Sequence, residues 1–151
     1  MHPRPASLGF AFAATLAGMA SCRFDDLRRD FPAEHEAMEP LRERVGTFSN
    51  LSRRVKWVIH SPGELALMPV DVGPIDFERE MVVLVGMGPT PSPDYAVRLK
   101  RLVRDAGVLR AEIEYLYPPD GAAGSASPAS PYHAVVMPRS DLRIEGFTAP
   151  E

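Results

Sequence analysis

The sequence predicts an α+β domain, mainly antiparallel β-sheet in a sandwich or barrel-like arrangement, with one short helix. Three observations carry this. Several segments alternate apolar and polar residues with a period of two, as half-buried strands do. Sixteen prolines and eleven glycines in 151 residues interrupt the chain too often for a bundle of long helices. One run, Met81 to Val85, is apolar throughout at strand length, as a strand covered on both faces requires.

Taken in chain order, the first element is an export signal over residues 1–21. Arg4 and the amino terminus precede an uncharged run from Leu8 to Ala20, followed by Ser21 and Cys22. That run, about thirteen residues, is too short to span a bilayer core, which needs about twenty, and small residues close it where a signal peptidase cuts. Leu16-Ala-Gly-Met-Ala-Ser-Cys22 resembles the lipobox of bacterial lipoproteins, with Met19 as a departure from the usual Leu. The resemblance implies lipidation of Cys22 and anchoring in the cell envelope. A plain export signal, giving a secreted or soluble periplasmic protein, is the alternative. Residues 22–45 alternate acids and bases and contain Pro32 and Pro40, so they are read as a tether with one helical turn near Ala33 to Met38. Within it, His35 between Glu34 and Glu36 is no metal cluster, because adjacent residues on a helix diverge by about 100°.

The folded domain is placed at residues 46–147. Val55, Trp57 and Ile59 mark a strand by alternation. Ser61-Pro-Gly-Glu64 supplies an N-cap, a proline at the first helical position and an acid three residues after the cap, opening a short helix that Pro69 closes. Met81 to Val85 is the central strand. Tyr95, Val97 and Leu99, then Leu109, Ala111, Ile113, Tyr115 and Tyr117, alternate with charged residues on either side of Asp105-Ala-Gly107, which makes a hairpin. Residues 118–130 hold little that buries and read as a mobile loop. His133 to Met137 resumes as a strand, and Leu142 to Phe147 is a candidate edge.

Composition narrows the function. With 45% hydrophobic and 25% charged residues the chain suits one globular domain. A formal charge of −3 gives no footprint for nucleic acid. A single cysteine rules out an intrachain disulfide and a Cys-rich zinc site, and no cofactor or nucleotide fingerprint is present. Ser130, His133, Ser140 and Asp141 invite a Ser/His/Asp reading, but no Gly-x-Ser-x-Gly turn accompanies them. His60 and His133 with Asp94 could form a metal site only by long-range convergence. A small metal-dependent or Ser/His hydrolase is therefore the alternative, and a non-catalytic binding module is the expectation.

The binding surface is placed on the loop Gly86-Met-Gly-Pro-Thr-Pro-Ser-Pro-Asp-Tyr95. Its prolines fix φ and reduce the entropy that a partner must remove. Thr90, Pro91, Pro93, Asp94 and Tyr95, with Pro131 and Tyr132 from the following strand end, are the predicted contacts for another protein. In the bland alternative the loop is a rigid connection and Tyr95 anchors the next strand in the core.

Ile75-Asp-Phe-Glu-Arg-Glu-Met-Val-Val-Leu-Val-Gly86, Tyr95 to Lys100, Leu109 to Tyr117 and Ser130-Pro-Tyr-His-Ala-Val-Val-Met-Pro-Arg-Ser140 together resemble the C-terminal domain of the protease complex subunit PrcB, over roughly Gly46 to Ile144. That family pattern has a Thr-Gly-Gly-Tyr loop, where this chain has Ser92-Pro93-Asp94 between Thr90 and Tyr95. The resemblance implies an extracytoplasmic, often lipid-anchored, β-rich binding domain associated with a protease or envelope complex, with no established catalytic residues. Pro93 forbids the positive φ that glycine permits, so a contact made by that backbone would differ here. The Thr-to-Tyr loop is also reminiscent of chagasin-like protease inhibitors, which suggests an inhibitor-like use of residues 88–95.

Overall fold

The computed structural model describes residues 36–119 and 127–151. The export signal, Cys22 and the first part of the tether lie outside the described residues, as does the middle of the loop after Pro118. Among the described residues are strands β1 (Glu36–Met38), β2 (Arg42–Gly46), β3 (Val55–Ile59), β4 (Glu80–Gly86), β5 (Ala96–Asp105), β6 (Val108–Leu116) and β7 (Tyr132–Pro138), with one helix, α1 (Pro62–Ala66). They form two antiparallel sheets, β1-β5-β6 and β2-β7-β4-β3, and no closed barrel.

The four-stranded sheet is built on β4 and β7, paired in register from Glu80 opposite Pro138 to Gly86 opposite Tyr132. Because successive side chains point to opposite faces, the continuous apolar run of β4 serves two cores. Met81, Val83 and Val85 join Val135 and Met137 of β7 against Val97, Leu99 and Leu102 of the other sheet. Val82 and Leu84 join Ala134 and Val136 in a second core with Leu51, Val55, Ile59 and Met68, flanked by Leu65, Val70, Val72, Ile75 and Phe77. Met81 through Val85 are all fully buried. Each such side chain contributes about 1.5–3 kcal/mol of transfer free energy, so this strand pair holds the layers together.

Local signals set the remaining elements. Ser61 caps α1 by accepting the Glu64 amide at 3.3 Å, and the Glu64 carboxylate accepts the His60 amide at 2.6 Å, one residue before the usual capping-box partner. The β5–β6 hairpin turns through Ala106 and Gly107, with φ of 46° and 83°. Two positive φ values let a two-residue loop follow the twist of the strands. Glycine adopts them without cost, and alanine does not. A bulge between Leu99 and Arg101 shifts the register of the same hairpin.

Residues 36–45, expected as tether, contribute strands instead. Glu36 to Met38 pairs with Leu102 to Arg104 of β5, which replaces the expected helical turn, and Arg42 to Gly46 pairs with Tyr132 to Val136 of β7. The alternating charges that suggested a solvated spacer belong to largely exposed edge strands, with Met38 alone of β1 packed against the first core. Leu142 to Phe147 forms no strand. It crosses between the sheets, bonding Leu109 of β6 through the Arg143 carbonyl and the Glu145 amide, each at 2.9 Å, and Thr148 then bonds β3 at Lys56 and Val58. Its buried Ile144 and Phe147 face the first core. This segment covers the outer edges of both β6 and β3.

Two substitutions test this backbone reading. Ala106→Asn, a residue suited to positive φ, should raise stability by about 1 kcal/mol. At Gly88, φ is 72° and an added Cβ would stand 2.6 Å from the Arg53 carbonyl carbon. Gly88→Ala should therefore lose roughly 1–3 kcal/mol or more. Urea unfolding midpoints measure both.

Candidate functional site

The loop after β4 is fastened on one side and open on the other. Thr90 and Ala129 exchange backbone hydrogen bonds of 2.7 and 2.9 Å, and the Met87 amide donates to the Pro131 carbonyl at 3.0 Å. The Thr90 hydroxyl donates to the Ser92 carbonyl at 3.0 Å. The Ser92 hydroxyl donates to the Asp94 carboxylate at 3.1 Å and lies 3.3 Å from the Asp94 amide, from which it accepts. Thr90 and Ser92 are thus buried, while Pro89, Pro91 and Asp94 face solvent and Pro93 and Tyr95 are half-buried. A local network holds the loop in the position that Ser92-Pro93-Asp94 gives it.

The seven predicted contact residues divide accordingly. Pro91, Pro93, Asp94 and part of Tyr95 remain accessible. Thr90 is turned inward, Pro131 is fully buried and Tyr132 is 7% exposed. These three form the underside of the site and are corrected from contact to support. Tyr132 occupies the space above Gly46, its partner on β2, where a Cβ would stand 2.3 Å from its ring. An aromatic side chain fills what the glycine of the neighbouring strand leaves open.

Tyr117 is the residue that alternation misplaced. It continues the pattern of Ile113 and Tyr115 but lies just beyond β6, at 58% exposure. Its ring meets that of Tyr95 edge-on, with centroids 5.8 Å apart and planes at 85°, a favoured geometry for aromatic pairs. Arg54 stacks on Tyr115 at 4.6 Å. One end of the domain therefore presents exposed proline edges, a carboxylate and a tyrosine pair on a fixed backbone. The signal available in the sequence was the Tyr117-Pro118-Pro119 step, which ends the ladder and releases the ring from the core.

The groups that suggested catalysis are engaged elsewhere. His133 is 3% exposed, and its Nδ1 accepts the Leu99 amide at 2.9 Å, so its Nε2 carries the proton and donates to Glu43 at 3.0 Å. β1 covers the edge of β5 only at Leu102 to Arg104, and the imidazole of β7 meets the Leu99 amide beyond it. The Ser130 hydroxyl lies 3.2 Å from the Leu51 carbonyl and 2.8 Å from the Ser49 hydroxyl, with no bond to His133. Ser140 accepts the Leu142 amide at 3.2 Å, and Asp141 is exposed beside Arg139.

His60 and His133 do not converge. Ile59 is level with Val136, and His133 lies three residues further along β7, so His60 is about 13 Å away along the strand direction with β4 between. Among the described residues no three His, Cys, Asp or Glu side chains are grouped to hold a metal ion. The hollow of about 350 Å³ on the outer face of the three-stranded sheet, lined by Ala37 and Val103, is rimmed by Arg101–Glu112 and Arg110–Asp105 ion pairs. Its polar groups are already matched to one another.

These features define a two-sheet antiparallel β domain with a stapled, proline-edged loop at one end. Residues 81–138, from β4 through β7, match the family model described as PrcB C-terminal. The matched stretch contains the central strand pair, the whole loop and the hairpin. No curated protein and no solved structure matches the chain.

Burial lowers the pKa of His133 from its ordinary value near 6.5; the hydrogen bond and charge of Glu43 oppose this in part, and the charge of Arg98 adds to it. The unfolded chain therefore binds more protons than the folded one just below pH 6.5. The stabilisation is complete above that value and falls as the pH drops through it toward the lowered pKa. In pH-dependent thermal unfolding, His133→Leu should remove this part of the slope. It should also cost about 1–3 kcal/mol at pH 8, because the Leu99 amide loses its acceptor.

Proposed function

We propose that the chain is a non-catalytic binding module of the cell envelope that holds a protein partner, a protease or a component associated with one, through the end bearing Pro91, Pro93, Asp94, Tyr95 and Tyr117. The supporting observation is the fastening of this loop. With Thr90 stitched to Ala129 and three prolines limiting φ, a partner meets a surface whose conformational entropy is already reduced. Tyrosine contributes large contact area with few torsions to fix. Ser130, Ser140 and His133, which hydrolysis would require free and convergent, bond to backbone and to structural neighbours.

The PrcB C-terminal match supports association with a protease complex. The lipobox-like segment supports an anchor at Cys22, so that the domain works at a membrane surface without nucleic acid or cofactor. Fatty-acid labelling of the full-length protein should mark the wild type and leave Cys22→Ser unlabelled.

Tyr117→Ala separates binding from folding. Its ring is mostly in solvent, and the loss of its edge-on contact should cost about 0.5–1.5 kcal/mol. Partner recovered by crosslinking in envelope extracts should fall at least about tenfold, as expected when a contact worth 1.4 kcal/mol or more is removed. Full recovery with Tyr117→Ala and with Asp94→Lys would remove this end of the domain from the binding reading, and hydrolysis abolished by His133→Leu would replace it with an enzyme.

A further inference from the structure

The outer edge of β2 differs from the opposite edge of its own sheet and from the β6 edge of the neighbouring one. The edges of β3 and β6 are bonded to the 143–148 segment. β2 bonds β7 on one side, and among the described residues no strand lies on the other. Leu41 donates its amide to Val136 at 2.8 Å, and Thr47 accepts the Ser130 amide at 2.9 Å. Val136 of β7 and Ser130 just before that strand thus turn their backbone groups toward β2. With Arg42 opposite Val136 and Arg44 opposite Ala134, the even-numbered residues of β2 bond β7 while the backbone groups of Glu43 and Val45 turn outward. β2 contains neither proline nor bulge, and what tempers this edge is its five-residue length and the charges of Arg42, Glu43 and Arg44. Leu41 and Val45 are 51% and 54% exposed along it, and Phe48, at 69%, lies just beyond its end.

We propose that this edge receives an extended segment of the partner protein as a fifth strand, and that the segment alternates acidic and apolar residues. The inference rests on the binding reading above and names a second element of it. On one face, Leu41 and Val45 ask for apolar neighbours. On the other, Arg42 pairs with Glu80 at 2.7 Å, whereas Arg44 has no carboxylate partner among the described residues. An acid placed opposite Arg44 would complete it, and opposite charges facing across strands stabilise pairing.

A second copy of this chain does not supply the acid that Arg44 lacks. In an antiparallel pairing, facing residues share a face, so β2 paired with itself joins residues of the same parity. The register that engages all of Arg42–Gly46 sets Arg44 against Arg44, and the register centred on Glu43 sets Glu43 against Glu43 and Arg42 against Arg44. Like charges directly opposite destabilise a sheet. The register centred on Val45 sets Arg44 against Gly46 and leaves its charge unmet.

Amide hydrogen exchange on the full chain tests this, with a nine-residue peptide of alternating Glu and Val as probe and a Lys/Val peptide as control. The amides of Glu43 and Val45 should exchange fast alone and slow at least tenfold with the Glu/Val peptide only. Val45→Pro removes an outward N–H without breaking the β7 ladder. It should keep the unfolding midpoint and abolish peptide protection at Glu43, and Arg44→Glu should reverse the charge preference. The proposal is overturned if both amides are slow in the free chain, which would mean cover by its own residues or a second copy, told apart by sedimentation. It is equally overturned if both peptides act alike, or if Val45→Pro retains protection. Partner crosslinking lost in Tyr117→Ala but intact in Val45→Pro would overturn the edge proposal alone and leave the binding reading standing.

Discussion

The pairing of β4 with β7 is the constraint on which the rest depends, because one sheet must supply the wall of two cores. Its period of two sends Met81, Val83 and Val85 one way and Val82 and Leu84 the other. A slip of one residue would exchange the two sets and break both cores together. Everything else is arranged to cover these faces. The hairpin with its β1 edge closes one, and α1 with the segment after it closes the other. Main-chain groups left over at the margins are met by single side chains: Arg139 donates to the carbonyls of Phe77 and His60 at 2.6 and 3.3 Å, and His133 accepts from Leu99.

Chemically capable residues are thereby used as joints. His133 is bonded on both ring nitrogens, the Ser130 hydroxyl is bonded to the Leu51 carbonyl, and the Ser140 hydroxyl holds the Leu142 amide. What remains for an outside molecule is shape and backbone: the fastened loop at one end and the β2 edge running toward it through Thr47 and Phe48. Both are more suited to a polypeptide than to a small ligand, whose site would be a concave pocket with a few converging polar groups.

How much of this could be read from the chain depends on which faces each segment buries. The central strand, the hairpin and the capped helix were legible, since two-sided burial, strict alternation and Ser61-Pro-Gly-Glu64 are each written locally. β1 and β2 were not, because largely exposed edge strands carry Arg42-Glu43-Arg44 and look like a solvated spacer. Tyr132 was misread for another reason. Its burial follows from Gly46, far away in sequence and opposite it in register, and no local window joins the two. Tyr117 kept the alternation of its strand after the strand had ended. Within the loop from Thr90 to Tyr95, local pattern left the inward and outward residues undivided.

The order in which the chain enters the fold has a mechanical consequence. Tension arriving at residue 36 is met first by the three residues of β1 against β5, and only then by the five of β2 against β7. The buried strands β4 and β7 lie behind both. A pull from that side would peel β1 as a sacrificial first element and free a few residues of chain, while the two cores and the proline-edged end kept their shape.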